Sequence, residues 1–195
     1  MQPYMAYTNQ NNHPKGIAMC GKTFLETPRL IIKTMDDRDF CALRLQMKDP
    51  QVMEFFGGPR EDSRIIATLE LLNNHLLKYG FSQGPVFEKE TGAFIGRAGL
   101  VHLDFKETPD LELGYFIMPE YWGRGFATEI GATLLDYAFN VLDCPRVFAT
   151  VDPKNAASCR VSEKLEMTLE KEDIYETLHK RVRFYVKNKP IKEEK

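Results

Sequence analysis

The sequence predicts a single α+β domain, and three observations lead to this fold class. The chain has 195 residues, the length of one domain slightly above the commonest size. Hydrophobic residues make up 43% and charged residues 28%, which is ordinary globular usage and excludes disordered, collagen-like and coiled-coil chains. Short strand patterns alternate with helical patterns, without an internal repeat or an interior linker. We therefore expect one domain at residues 23–190, preceded by a flexible tail at 1–22 and followed by a charged tail at 191–195.

The first half of the domain begins with a strand and two helical stretches. Leu30–Lys33 follows the Thr27-Pro28 turn and alternates in a manner typical of a strand. Asp36 and Asp37 occupy the N-cap position of a helix that contains apolar residues up to Met47. Apolar residues recur at helical spacing from Ile65 to Leu76, and Gly80 ends that helix.

Three strands and a long helix form the middle of the chain. A strand around Val86-Phe87 enters a polar hairpin turn that closes at Gly92, and Phe94–Leu103 returns as the second strand. Leu111–Met118 is the third, and a helix is predicted over Arg124–Leu142 because apolar residues recur there on one face.

The last quarter of the domain adds three strands and one helix. Arg146–Val151 is a short strand, and Asn155–Leu165 is a helix. Strands at Leu169–Tyr175 and Arg181–Val186 close the domain, and alternation of valine and phenylalanine with charged residues predicts that the final strand is half-buried.

Composition also excludes several classes of protein. With 26 Lys+Arg against 28 Asp+Glu, the formal charge is -2, which argues against general nucleic-acid binding. No apolar run approaches the length of about 20 residues that a membrane helix needs, and residues 1–20 lack the apolar stretch of a signal peptide. The four cysteines show no zinc spacing. We expect reduced thiols, no metal and a cytoplasmic location.

The run Glu112–Glu129 is the segment most informative about function. A strand ends at Pro119, a short loop contains Gly123 and Gly125, and a helix begins directly afterwards. Glycine lets a ligand approach the backbone closely, and the free N–H groups of a helix N-terminus bind anions such as pyrophosphate. The Walker pattern is absent, and the Rossmann pattern fails because Thr128 takes the place of its third glycine. Alone, however, a Gly-x-Gly before a helix is more often an ordinary tight turn.

A second motif follows the next strand, at Asn155-Ala-Ala-Ser158 and onwards to Leu165. Taken separately, Asn155 is most simply a helix N-cap, and Ser158 a solvated serine in the first helical turn.

Together, the two motifs resemble the GNAT superfamily of acetyl-CoA-dependent N-acetyltransferases, and specifically its Rim-type branch of ribosomal-protein acetyltransferases. The likeness begins at Leu25–Ile32, continues through Thr91–Leu100 and extends to the C-terminal strands. Its most specific parts are Tyr121-Trp-Gly-Arg-Gly-Phe-Ala-Thr-Glu129 and the Asn155/Ser158 pair.

The resemblance implies a mixed, mostly antiparallel sheet of about six or seven strands, flanked by helices and splayed in the middle at the cofactor strand. It implies acetyl-CoA as co-substrate, no metal, and an amine as acceptor. The loop that would wrap the CoA pyrophosphate corresponds to Trp122, Gly123, Arg124, Gly125, Phe126, Ala127 and Thr128. The strand that would hold the pantetheine arm and polarise the thioester carbonyl corresponds to Gly114, Tyr115, Phe116 and Ile117. Asn155 would contact the pantetheine, and Ser158 would lie near the sulfur.

The chain departs from the family pattern at three positions. The general-acid tyrosine of many other branches is Ser162 here, the glycine that usually ends the helix is Glu166, and the aromatic residue after it is Met167. Arg124 either approaches a phosphate or points to solvent.

Acetyl transfer also requires a proton acceptor, because amines have pKa values of about 8 to 10.4. Glu112 is our candidate base, although a glutamate at a strand edge can equally point to solvent. Ser158 is the candidate donor to the leaving thiolate, and Tyr185 is a weaker one. The acceptor would be a protein N-terminus, a small amine or a polyamine. One acidic cluster could attract such a cation or simply be a solvated face: Glu170, Glu172, Asp173 and Glu176.

The leading interpretation is direct transfer in a ternary complex, without a covalent enzyme intermediate. A catalytically silent CoA-binding regulatory domain is the alternative, and turnover across a panel of amines distinguishes the two. A nucleotide-binding module that does not use CoA is a third hypothesis, which stronger stabilisation by ATP or NAD would favour. Whether the chain forms a homodimer stays open.

Overall fold

The computed structural model describes residues 21–102, 108–175 and 179–190. These residues contain eight β-strands and four α-helices. The strands are β1 (Thr23–Glu26), β2 (Leu30–Lys33), β3 (Gln83–Glu88), β4 (Phe94–His102), β5 (Leu111–Ile117), β6 (Arg146–Val151), β7 (Thr168–Tyr175) and β8 (Lys180–Asn188). The helices are α1 (Phe40–Lys48), α2 (Asp62–Tyr79), α3 (Phe126–Asn140) and α4 (Ala156–Lys164). Residues 1–20 and 191–195 of the two predicted tails lie outside the described residues.

The strands form one open sheet in the order β1-β2-β3-β4-β5-β6-β8-β7. Every neighbouring pair is antiparallel except β5 and β6, which are parallel. The α+β class and the mostly antiparallel sheet are thus confirmed, with one strand more than the sequence predicts. The additional strand is β1, which has only four partly exposed residues and pairs only with β2, so its alternation is too short to detect.

The sheet opens between β5 and β6. Their parallel pairing is limited to Leu111 with Val147 and Glu112 with Phe148. Beyond this point β5 continues to Ile117 and pairs only with β4 on its other edge. The splay implied by the family resemblance is therefore present, and the edge of β5 that faces β6 has no partner strand after Glu112.

Helices cover both faces of the sheet. Ile65, Leu69 and Leu72 of α2 are buried in a cluster with α1 and one face of β3 and β4. Ile130 and Leu134 of α3 are buried in a cluster with α4 and the opposite face. The two clusters fix α3 and α4 on one side of the opening and the loop between α1 and α2 near its other side.

Candidate functional site

A cavity of about 480 Å³ lies where β5 and β6 separate. The end of β5, the loop that follows it and the first turns of α3 and α4 form its walls. Among the residues predicted to bind a cofactor, those that line it are Tyr115, Phe116, Ile117, Trp122, Gly123, Gly125, Phe126, Ala127, Thr128, Asn155 and Ser158. Two motifs that are about thirty residues apart in the chain thus meet at one opening of the sheet.

The glycine loop has the backbone geometry that its sequence predicts. Gly123 and Gly125 have φ values of 74° and 79°, in the left-handed region that favours glycine. Gly125 is the N-cap of α3, and the first hydrogen bond at this end runs from the Glu129 N–H to the Gly125 carbonyl, at 3.1 Å. The N–H groups of residues 126–128 consequently have no partner within the helix. A Cβ atom at Gly123 would meet nothing within 4 Å, so the space beside the loop is open.

Trp122 attaches this loop to the cofactor strand. Its indole Nε1 donates a hydrogen bond of 2.7 Å to the Ile117 carbonyl oxygen, at the end of β5. The side chain is about half exposed and lines the cavity. The bond fixes the distance between the open strand edge and the amides at the start of α3.

Arg124 lies in the glycine loop, is exposed and does not line the cavity. Its guanidinium forms an ion pair with Glu88, which is buried at the end of β3. It also lies over the Phe126 ring, at 4.5 Å from the centroid, and Arg29 lies at the same distance from that ring. The Arg124 side chain is 44% exposed, as the solvent interpretation predicts, and its ion pair with Glu88 is a contact that only the fold brings together.

The second motif begins at the N-cap of α4. The Asn155 Oδ1 accepts a hydrogen bond of 3.0 Å from the Ser158 N–H, which is the capping role its position predicts. The Ser158 Oγ accepts a further hydrogen bond of 3.1 Å from the Tyr115 hydroxyl. This second bond crosses the opening from β5 to α4. Burial raises the pKa of Tyr115 to about 12, and hydrogen bonding to Ser158 opposes that rise only in part.

Glu112 lies at the last paired position before the strands separate, outside the cavity lining. One of its carboxylate oxygens accepts a hydrogen bond from the Thr150 hydroxyl of β6. The other accepts one of 2.7 Å from the Tyr175 hydroxyl of β7. The carboxylate is thus held by two neighbouring strands and does not point to solvent from a free edge.

The remaining predicted residues contact other parts of the fold and do not line the cavity. A Cβ atom at Gly114 would lie 2.3 Å from the Gln83 side-chain nitrogen, so glycine makes room for that amide. Ser162 is buried. Glu166 adopts φ 57°, the left-handed conformation that the usual glycine would supply after the helix. Tyr185 is buried behind α4 and does not line the cavity.

The loop between α1 and α2 forms a further wall of the cavity. Its contribution to the lining is Gln51, Val52, Glu54, Phe55 and Phe56. The Phe56 ring packs on the Phe116 ring with centroids 4.8 Å apart. Lys180 donates a hydrogen bond of 2.6 Å from its Nζ to the Phe55 carbonyl and also pairs with the Asp152 carboxylate. No local motif identifies this loop, because its contacts are with distant strands, Phe116 of β5 and Lys180 of β8.

Two further observations concern metal binding and membrane-spanning helices. Within the described ranges, no group of three or more His, Cys, Asp or Glu side chains could hold a metal ion. No described helix is both long enough and apolar enough to cross a membrane.

Comparisons with known proteins identify the family. The family model described as "Acetyltransferase (GNAT) domain" matches residues 29–168. The uncharacterized protein YkkB of Bacillus subtilis (strain 168) is 34% identical over 76% of this chain and 87% of its own. The crystal structure of an acetyltransferase from Agrobacterium tumefaciens str. C58 has a TM-score of 0.73 at 27% identity, covering 84% of this chain and 93% of that one.

A structural neighbour was solved with ligands. Spermidine N-acetyltransferase from Vibrio cholerae, in complex with CoA and spermine, has a TM-score of 0.67 at 19% identity, and the match covers 82% of this chain and 95% of that one. It supports the fold alone. Because the family model spans more than half of the sequence, this chain belongs to the GNAT acetyltransferase family.

Proposed function

We propose that this chain is an acetyl-CoA-dependent N-acetyltransferase of the Rim type, which transfers an acetyl group to a primary amine directly within a ternary complex. The observation that carries the proposal is one cavity that joins the N-terminus of α3 to the unpaired edge of β5. The Rim-type assignment depends on the motifs at Tyr121–Glu129 and Asn155/Ser158.

The residues present fit a CoA group. The unpaired N–H groups of residues 126–128 suit a pyrophosphate, and the open space beside Gly123 leaves room for it. The free edge of β5 offers main-chain groups to the amides of a pantetheine arm, as a neighbouring strand would. Arg160 and Lys164 of α4 line the same cavity and add positive charge for phosphate.

Bound acetyl-CoA supplies an activated acetyl thioester. Amides on the free edge of β5 would polarise its carbonyl group. Glu112, held by Thr150 and Tyr175, would accept the proton that the amine must lose, directly or through a water. Ser158 would donate a hydrogen bond to the sulfur as the carbon–sulfur bond breaks.

For the acceptor we propose a protein N-terminus, a small amine or a polyamine. Glu170, Glu172 and Asp173 of the edge strand β7 each form an ion pair within this chain, and none lines the cavity. Glu176 lies outside the described residues. Glu54 lines the cavity, and Glu112 lies at the last position where β5 pairs with β6.

The proposed compartment is the cytoplasm. The described cysteines, Cys41, Cys144 and Cys159, are free thiols, which supports a reducing environment.

A thermal-shift experiment tests cofactor binding. Acetyl-CoA at about 100 times its Kd stabilises the native state by about 2.7 kcal/mol and raises the Tm by about 5–10 °C. We expect Gly125→Glu to lose this shift, because its carboxylate would lie at the anion site. Gly80→Glu is the matched control: Gly80 has the same φ of 79° but caps α2, away from the cavity. A larger shift with ATP or NAD than with CoA would refute the proposal.

Turnover is tested with spermidine, tyramine and a short peptide with a free N-terminus, with release of CoA as the measurement. Acetylation of any of them supports the enzyme. Tight binding of acetyl-CoA without turnover across a broad amine panel would instead support the silent regulatory domain.

A further inference from the structure

One hydrogen bond spans the opening in the sheet. The Tyr115 hydroxyl of β5 lies 3.1 Å from the Ser158 Oγ of α4, and both side chains line the cavity. Because the edge of β5 that faces β6 has no partner strand at Tyr115, the bond crosses a gap that the backbone leaves open. It therefore lies where a linear arm passing between β5 and α4 would place its far end.

The direction of this bond determines what Ser158 can do. Tyr115 is the donor and Ser158 the acceptor. The Ser158 N–H is already bound to Asn155. The Ser158 O–H proton therefore cannot point back at Tyr115, and among the described residues no acceptor takes it. Because burial raises the pKa of Tyr115 to about 12, the tyrosine keeps its proton and remains a donor throughout the neutral and mildly alkaline range.

We propose that Tyr115 is a positioning residue, which turns the Ser158 hydroxyl toward the sulfur of bound CoA. This inference rests on the proposed function. Neither of the two other hydroxyls near α4 can take the same part, since Ser162 and Tyr185 are buried away from the cavity. Tyr115 itself does not touch the reacting atoms and acts through Ser158.

The chemical consequence is a change in the acidity of the thiol. A hydroxyl directed at the sulfur stabilises the thiolate more than the thiol, because hydrogen bonds to charged acceptors are the stronger ones. The pKa of the CoA thiol should accordingly fall on binding. We expect a decrease of about one unit, which corresponds to a tenfold change in the ionisation constant.

Ultraviolet titration of the complex with free CoA measures this pKa without an acceptor amine. Thiolate absorbance is followed from pH 6 to 10, with the complex of desulfo-CoA as the blank. Tyr115 stays protonated across that window, so its own ionisation does not contribute.

Three variants complete the design. Ser158→Ala should return the thiol pKa of bound CoA to the value of free CoA. Tyr115→Phe keeps the ring in the wall but removes the donor, and it should lose at least half of the decrease. The matched control is Tyr137→Phe, which alters a tyrosine of α3 outside the cavity lining and should leave the thiol pKa unchanged.

Each result decides one point. If Tyr115→Phe leaves the thiol pKa of bound CoA at its wild-type value while Ser158→Ala changes it, Tyr115 only packs in the cavity wall. That result would overturn the inference. The same holds if neither variant moves the pKa, because Ser158 would then not reach the sulfur. Failure of the wild-type protein to bind CoA would instead overturn the proposed function, and the two failures are therefore distinguishable.

Discussion

Trp122 offers the most direct test of how the glycine loop is held. It is the only tryptophan in the chain, and its indole N–H is bound to the Ile117 carbonyl at 2.7 Å. Trp122→Phe keeps an aromatic ring but removes the donor. A neutral hydrogen bond of this kind contributes about 0.5–1.5 kcal/mol. Because the side chain is 51% exposed, water can replace part of that contribution.

The effect on binding follows from this magnitude. If the loop must recover its position before CoA binds, the lost free energy appears in the binding constant. Since 1.4 kcal/mol is a tenfold change, the Kd for acetyl-CoA should rise about two- to tenfold. Isothermal titration calorimetry measures it, because the variant has no tryptophan fluorescence.

A control and a refuting result complete this prediction. Tyr137→Phe alters a side chain that packs on Phe24 along α3, outside the cavity lining, and should leave the Kd unchanged. An unaltered Kd in Trp122→Phe would mean that the hydrogen bond does not order the loop. A loss of more than a hundredfold would mean that the indole itself contacts the ligand.

The remaining predictions concern stability and the cavity wall. Burial lowers the pKa of His75, so the unfolded chain takes up a proton at a higher pH than the folded chain does. The free energy of unfolding should therefore fall as the pH drops below about 6.5. His75→Gln should flatten this pH dependence, which urea titrations measure. Lys180→Met should increase amide exchange in the loop between α1 and α2, while Lys189→Met, which removes an ion pair elsewhere, should not. Leu134→Ala, at a fully buried position, should cost about 2–5 kcal/mol, against less than about 0.5 kcal/mol for the exposed Leu77→Ala, both by urea denaturation.

The features that could be predicted from the sequence are those with a local signal. The start of α3 was identifiable because glycine, an end of strand and an apolar period occur within a few residues, and each has its own physical reason. Asn155 was identifiable as a cap for the same reason. Seven of the eight strands were predicted from alternation or from apolar runs bounded by turn residues, whereas β1 is too short to show either.

The features that were missed depend on residues far apart in the chain. Arg124 pairs with Glu88, which the β3–β4 hairpin brings beside the glycine loop. Glu112 receives its two hydrogen bonds from β6 and β7, and no spacing along the chain encodes either contact. Patterns in sequence report what a residue does with its neighbours in the chain, and these side chains act on neighbours in space.

The opening between β5 and β6 poses a physical question of its own, since a strand edge without a partner leaves polar backbone groups unpaired. At the end of β5, a side chain supplies a hydrogen-bond partner for one of these groups. Trp122 donates a hydrogen bond of 2.7 Å to the Ile117 carbonyl. Tyr115 reaches across to Ser158 of α4. Neither contact pairs β5 with β6. The edge at Gly114 and Tyr115 consequently remains available to a ligand that can pair like a strand, and a pantetheine arm has the amides to do so.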